Sequence, residues 1–385
     1  MRAWTGAAGR DHQDMARPRH DVALVISDLG AGGAQRVLTM LSRHWADTGV
    51  RICLITLSTP DTDFFAPDRR LTRTSLAGLQ DSHSLFTAIG HNIGRLVRLR
   101  RAIRRSGAGV VVSFVGVTNI LTLLATTGLR LKVVISERND PSRQSLGRPW
   151  DWLRRWTYPR ASIVTANSRT AIQALRAYVP ARKLAMVPNP VSVPAAGTSP
   201  GDRAPLILAV GSLSGQKAHD VLVNAFARVT KGCPEWRLSI LGDGEERGAL
   251  ERLIAAHGLH GKAALPGRVR DVAPHYLEAS VFAMPSRFEG MPNALLEAMS
   301  FGLPVVVSDA CEGTFDLIED GVSGLIVPAE DPVALANAII RLIANPDLRD
   351  RLGREAKRRI GQLDVDGALT IWDELLALDT PSAAP

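Results

Sequence analysis

The chain has 385 residues, 45% of them hydrophobic and 22% charged, which is enough for two domains of ordinary size, each with its own core. A formal net charge of +8 and a pI near 9.9 favour anionic partners: phosphates, nucleic acid or an acidic membrane surface. Three well-separated cysteines, Cys53, Cys233 and Cys311, show no C-x2-C metal spacing and read as buried or idle thiols in a reducing compartment, and no apolar stretch is long enough to span a membrane.

Residues 1–20 lack the continuous apolar run of a signal peptide and are expected to be a disordered lead-in. A first domain is expected over 21–190. Its opening run DVALVIS (21–27) is typical of a parallel strand. A glycine loop, Gly30 to Gly33, follows, and then a helical pattern through Val37, Leu38, Met40 and Leu41. Glycines between strand and helix let the backbone come close to a ligand at the helix N-terminus; they also serve a plain tight turn. The spacing is not G-x-G-x-x-G, so it makes no dinucleotide fingerprint. Strand-like runs recur at 51–58, 109–114 and 131–136, with helical stretches between several of them. Such alternation argues for a doubly wound parallel sheet, whose ligands sit beyond the strand C-termini, where GAGGAQR, SFVGVTN and SERNDP fall.

Two basic segments stand out in this half. RLVRLRRAIRRS (95–106) sets Leu96, Val97, Leu99 and Ile103 against six arginines, including Arg98 and Arg101. RPWDWLRRWTYPR (148–160) gathers three of the seven tryptophans, Trp152 among them, with Arg154 and Arg155. Indole and guanidinium groups at one surface suit the headgroup layer of an anionic membrane; a solvated helix with an apolar underside is the plainer alternative. Nucleic acid is not expected as a partner, because no recognition motif accompanies the charge.

ASIVTA (161–166) reads as another strand, with Asn167 and Ser168 as a helix cap. The Ala/Gly/Ser/Pro-rich stretch 191–204 is expected as a linker. A second domain, 205–362, repeats the strand–helix alternation: LILAV leads to GSLSGQKAHD, a strand at 236–241 ends in Gly242-Asp243-Gly244, and a turn is expected at LPGRVRDV. A helix and tail, 363–385, close the chain, the helix placed to pack back on the first domain.

Within the second domain the stretch PSRFEGMPNALLEAMSFGLP (285–304) carries the most chemistry. A strand leads into a polar loop with Gly290, Pro292 stands at the expected helix start, and seven residues separate Glu289 from Glu297. Free N–H groups around Met291, Asn293 and Ala294 suit a phosphate. Carboxylates on either side suit sugar or ribose hydroxyls, so the pattern fits a nucleotide-sugar. A helix starting at proline with one glutamate on its wet face is also ordinary.

EGMPNALLEAMSFGLPVVVSD resembles the donor-binding signature of the retaining glycosyltransferases of family 4, which have the GT-B fold: α/β, with two Rossmann-like domains facing each other across a cleft. VGSLSGQKAHDVLVNAF, LGDGEER and LPGRVRDVAPHY resemble further motifs of that family. The resemblance implies that Lys217 contacts the donor diphosphate and that Glu289 meets donor-sugar hydroxyls, these two being the catalytic pair. It implies ribose hydroxyls at Glu297, and the nucleobase near Arg268 and Val269. Gly32, Gly33, Gly242, Gly290, Met291, Pro292 and Asn293 complete the donor site by the same resemblance. Ser212 stands where many relatives carry a phosphate-binding arginine. SERNDP occupies the place of a histidine loop in the acceptor region, making Glu137, Arg138 and Asn139 acceptor candidates with open roles, and VPNPV is similar to the family's interdomain junction.

The combination of GGAQRVL, SFVGVTNIL and ISERNDP is most like a bacterial subgroup that builds glycans on polyprenyl-diphosphate lipids. Implied are a UDP-sugar or GDP-sugar donor, a lipid-linked or growing glycan acceptor, no essential metal or other cofactor, and a cytoplasmic enzyme peripheral on the inner membrane face. A sugar-nucleotide 2-epimerase or an inverting transferase of the same fold is the enzymatic alternative; a basic membrane- or nucleic-acid-binding module is the other. Asp61-Thr-Asp63 spells D-x-D, a metal signature of a different transferase fold, and is read as chance.

Overall fold

A computed structural model of the chain describes residues 20–76, 85–191, 203–310, 312–315, 317–361 and 365–377. The expected lead-in, most of the expected linker and Cys311 lie outside them. The first domain holds strands β1 (Val22–Ile26), β2 (Ile52–Thr56), β3 (Thr72–Ser75), β4 (Val110–Phe114), β5 (Lys132–Glu137), β6 (Ile163–Ala166) and β7 (Leu184–Met186). They form one sheet in the order β3-β2-β1-β4-β5-β6-β7, with every neighbouring pair parallel. The second domain holds β8 (Leu206–Val210), β9 (Arg237–Leu241), β10 (Ala263–Gly267), β11 (Val281–Met284), β12 (Val305–Ser308) and β13 (Leu325–Val327). Its sheet runs β10-β9-β8-β11-β12-β13, again parallel throughout.

The helices are α1 (Gly33–Asp47), α2 (Leu85–Ser106), α3 (Gly116–Thr126), α4 (Arg148–Thr157) and α5 (Arg169–Leu175), then α6 (His219–Gly232), α7 (Arg247–Ala256), α8 (Ala273–Glu278) and α9 (Asn293–Ser300). They continue with α10 (Glu312–Phe315), α11 (Pro332–Ala344), α12 (Pro346–Gly361) and α13 (Val365–Leu376). Strand periodicity of two explains why both faces of each sheet need helices. In β1, Val22, Leu24 and Ile26 pack with Val37, Leu38 and Leu41 of α1, while Ala23 and Val25 pack on the other face with Leu99 and Ile103 of α2. In β8, Ile207 and Ala209 join one core and Leu206 and Leu208 the other.

Helix α13 leaves the second domain and buries Trp372 and Leu376 in the core of the first. Asp373 fixes it there, accepting from Trp45 Nε1 at 2.7 Å and meeting His44 Nε2 at 2.9 Å. It spans Val365–Leu376, inside the stretch 363–385 expected to hold a helix and tail. Three strands depart from the sequence reading. β3 (TRTS) is a short edge with little apolar signal, β7 is an edge of three residues, and β10 includes Pro266 where a turn was expected, which an edge position of the sheet tolerates.

In both sheets the strand order reverses beside the first strand, between β1 and β4 and between β8 and β11. These are the topological switch points at which doubly wound sheets bind ligands.

Candidate functional site

The second-domain side of the site is made by the loops after β8 and β11. The first is packed close because Gly242 has no side chain: a Cβ there, at φ +148°, would lie 1.8 Å from the Gly211 carbonyl oxygen. Gly211 in turn leaves room for the aliphatic stem of Lys217, whose Cδ and Cε would be 3.2 Å from a Cβ. Backbone links tie the two loops: Arg287 N donates to Gln216 O at 2.8 Å, and Gln216 Nε2 donates to Phe288 O at 3.0 Å. Lys217 Nζ therefore meets Glu289 Oε1 in an ion pair, and Ser286 Oγ donates to the same oxygen at 2.9 Å. Lys217 is held by Ala218, which adopts a left-handed φ of +51°, a conformation that disfavours any residue but glycine. The chain then enters α6 at His219, which is buried with neither ring nitrogen paired. Burial, then the Lys217 ammonium, pull its pKa down to about 4.

Helix α9 starts at Asn293, with Pro292 as its cap rather than its first helical residue. No side chain caps it and its first turn holds no acid, so its first N–H groups are free to meet an anion. One turn in, Glu297 is buried. Its Oε1 lies 2.9 Å from Arg36 Nη1 of the first domain, and its Oε2 accepts from the Tyr276 hydroxyl at 3.1 Å. Burial pushes its pKa up, and Arg36 is the strongest opposing influence.

The first domain closes on this loop through uncharged contacts as well. Asn293 Nδ2 donates to Gly33 O at 3.0 Å. Asn189, from the VPNPV junction, donates to Met291 O at 2.9 Å and to Asn293 Oδ1 at 2.6 Å. Its own Oδ1 accepts from Arg138 Nη1 at 2.6 Å. Gly290 eases this approach, since a Cβ would sit a tight 3.1 Å from both Arg138 O and Asn167 Oδ1. The Arg138 guanidinium lies against the rings of Phe114 (5.1 Å) and Trp372 (5.9 Å), which also touch each other. Its burial draws the pKa down to about 9, against the pull of Glu137.

Glu137, the first of the acceptor candidates, sits at the end of β5. It is buried, accepts from the Tyr158 hydroxyl at 2.7 Å and from Arg138 N at 3.2 Å, and has its pKa raised by burial. Asn139, two residues beyond Glu137, is half-buried. Ser212 is exposed, its hydroxyl 3.0 Å from that of Ser214. Arg268 is exposed, and Val269 packs on the second-domain core. Gly32 caps α1, and Gly33 opens it.

The basic surface is divided. On α2, Arg98 and Arg101 are exposed. On α4, Trp152 (64% exposed) stacks on Trp156 (49% exposed) at 6.2 Å, and the Arg160 guanidinium lies 3.3 Å from the Trp156 ring centre. Arg155 is exposed beside them. Arg154, expected at this surface, instead points inward: it is buried and donates to Asp151 Oδ1 at 2.8 Å and to Pro141 O. In the D-x-D sequence, Asp63 is paired with Arg73 of β3. Among the described residues no cluster of His, Cys, Asp and Glu is arranged to hold a metal ion, and no helix is long and apolar enough to cross a membrane.

Sequence reasoning missed Arg36, Asn189 and His219 as site residues. Arg36 lies one helical turn beyond Gly33, inside a motif already singled out, and Asn189 lies inside VPNPV. His219 lies inside VGSLSGQKAHDVLVNAF, two residues after Lys217.

Two doubly wound domains with their switch points and glycine loops apposed constitute the GT-B architecture. HepE from Anabaena, solved with UDP-glucose, superposes with a TM-score of 0.82 over 93% of this chain and 99% of its own, at 19% identity. Sucrose-phosphate synthase from Thermosynechococcus elongatus gives 0.79 over 93% and 98%, at 20% identity. "Glycosyltransferase Family 4" matches residues 31–193 and "Glycosyl transferases group 1" residues 204–345. The two matches cover one domain each, and the chain belongs to the family 4 glycosyltransferases. Among its relatives is a Campylobacter jejuni α-1,4-N-acetyl-D-galactosaminyltransferase named for a diphospho-undecaprenol-linked substrate, 27% identical over 92% of this chain and 98% of that protein. A second Campylobacter jejuni galactosaminyltransferase, also named for a diphospho-undecaprenol substrate, is 25% identical over 70% of this chain and 76% of its own length.

Proposed function

We propose that this glycosyltransferase works with retention, moving a sugar from a UDP- or GDP-sugar into an α-linkage on a lipid-linked or growing glycan. The observation that carries this reading is the meeting of the Lys217 ammonium and the Glu289 carboxylate beside the uncapped N-terminus of α9. A diphosphate needs the ammonium and the free N–H groups; sugar hydroxyls need the carboxylates of Glu289 and Glu297. The names of the Campylobacter relatives support the lipid-linked acceptor, and the UDP-glucose bound by HepE supports a nucleotide-sugar donor.

In this reaction the bond from the anomeric carbon to the diphosphate oxygen breaks, and a bond to the acceptor oxygen forms on the same face of the sugar. The acceptor's proton passes to the departing diphosphate. The protein then has to stabilise negative charge on the leaving group, which Lys217 and the α9 dipole supply, and no metal is called for. Arg138 and Asn139 border the acceptor side. The exposed tryptophan pair of α4 with Arg98, Arg101 and Arg155 would seat the enzyme on the anionic cytoplasmic face of a membrane that carries the acceptor.

The test is a screen of UDP- and GDP-sugars with a polyprenyl-diphosphate-linked acceptor, followed by NMR of the new anomeric linkage. An α-linked product is expected. A β-linkage would establish inversion, an epimerised sugar-nucleotide without transfer would establish the epimerase, and either would overturn the proposal.

A further inference from the structure

We propose that Arg36, on the first domain, is a donor-diphosphate ligand that supplies from across the cleft the cation missing at Ser212. The inference rests on the donor reading above. In the ligand-free arrangement Arg36 is parked on Glu297, and donor binding exchanges its partner.

The geometry gives Arg36 both position and freedom. The first turn of α1 abuts the first turn of α9, with the Gly33 carbonyl bonded to the Asn293 side chain at 3.0 Å. Arg36 follows Gly33 by one turn and projects over the same end of α9, reaching Glu297 at 2.9 Å. That contact is single-toothed, Nη1 to Oε1, and the side chain keeps 30% of its surface exposed. Of the second-domain arginines, Arg268 is exposed, while Arg247 and Arg287 are committed elsewhere. Arg247 is bound to Asp243 at 2.8 Å and to Leu265 O at 3.2 Å. Arg287 is bound to Asp220, Glu330 and the Gly215 carbonyl.

The chemistry favours an exchange. Glu297 is buried, and a carboxylate in that position requires either a cation or hydroxyl donors. Ribose hydroxyls brought by the donor would provide the donors alongside Tyr276. Arg36 is then free to turn to the diphosphate, whose paired oxygens match the guanidinium fork better than one carboxylate oxygen does. Lys217 would undergo the parallel exchange from Glu289 to phosphate. The diphosphate would thus be held by one cation from each domain, Lys217 and Arg36, with the α9 N–H groups between them.

The experiment measures UDP, GDP, uridine and guanosine binding by calorimetry for wild type, Arg36→Met, Arg36→Lys and Lys217→Ala, each checked for folding by circular dichroism. Loss of one charge-assisted contact is expected to weaken the diphosphate for Arg36→Met by roughly ten- to a hundredfold. Arg36→Lys should fall between Arg36→Met and wild type, and affinity for the nucleoside alone should not fall. Diphosphate affinity of Arg36→Met equal to wild type, with Lys217→Ala weakened, would overturn the inference while leaving the donor reading intact. Equal losses for nucleoside and diphosphate would also overturn it, by showing that Arg36 only holds the domains together. Failure of wild type to bind either diphosphate would remove the donor reading itself, and the inference with it.

Discussion

Replacing Glu289 by glutamine separates the two partners that this carboxylate serves. Both of its protein contacts among the described residues, Lys217 and Ser286, fall on Oε1, so Oε2 is the oxygen left for a donor-sugar hydroxyl. Glutamine keeps an acceptor for Ser286 and loses the charge. The lost charged hydrogen bond to the sugar is worth about 1.5–3 kcal/mol, a drop of roughly 10- to 150-fold in kcat/KM. Stability should fall by roughly 1–3 kcal/mol, because the pair is largely enclosed, Lys217 being 20% and Glu289 8% exposed, and the ammonium loses its counter-charge. Affinity for UDP or GDP should be unchanged or increased, since Lys217 no longer has to leave a carboxylate. Kinetics of nucleotide release alongside calorimetry with the free diphosphate read both effects. Wild-type kcat/KM would refute the sugar role, and a parallel fall in diphosphate affinity would show that Glu289 acts only by holding Lys217 in place.

Three further outcomes are expected. His219 has its pKa pulled down to about 4 by burial and by Lys217, so the unfolded chain binds its proton more tightly. The stability it contributes is present above about pH 6.5 and is lost as pH falls toward 4, about 3 kcal/mol in all; His219→Leu should flatten that part of the pH dependence of urea unfolding, and an unchanged slope would contradict it. Trp372→Ala should cost about 3–5 kcal/mol, because the indole is buried against Trp45, Phe114 and Arg138, whereas a cost below about 1 kcal/mol by chemical denaturation would mean that α13 docks loosely. Replacing Trp152, Arg155 and Trp156 together by serine should weaken binding to anionic vesicles at least about tenfold without destabilising the fold, since all three are exposed and a single arginine near such a surface contributes about 1 kcal/mol; unchanged flotation would deny this face a membrane role.

The parts of the fold legible in the sequence were those where burial on two faces leaves a continuous apolar run. VALVI and LILAV are central strands and read as such. TRTS, at the edge of its sheet, has one protected side and pairs only with β2, so its sequence satisfies hydrogen bonds without declaring itself apolar. The loop after β11 was legible because Gly290 and Pro292 mark a turn between a strand and a helix start, which no side chain caps. Arg154 was misread because charge counts carry no direction: α4 turns Trp152 and Arg155 outward and Arg154 inward onto Asp151. The Arg36–Glu297 and Asn189–Asn293 contacts depend on how two separately folded domains meet, which no local window of sequence encodes.

That meeting gives the two glutamates unequal positions. Glu289 is neutralised by Lys217 within its own domain, a pairing that does not depend on the first domain. Glu297 takes its cation from the opposite domain, so opening the cleft leaves a buried carboxylate with Tyr276 as its partner and its pKa, already raised by burial, loses its strongest counterweight. Closure therefore stabilises the ionised form of Glu297, and by linkage the ionised form favours closure. A donor whose hydroxyls satisfy Glu297 competes with Arg36 for the same oxygen, and it can keep the domains together only if Arg36 finds another anion on the same ligand. A nucleoside supplies the hydroxyls without that anion; a nucleoside diphosphate supplies both. On this argument the cleft should close around a diphosphate donor and be held less firmly by the nucleoside alone.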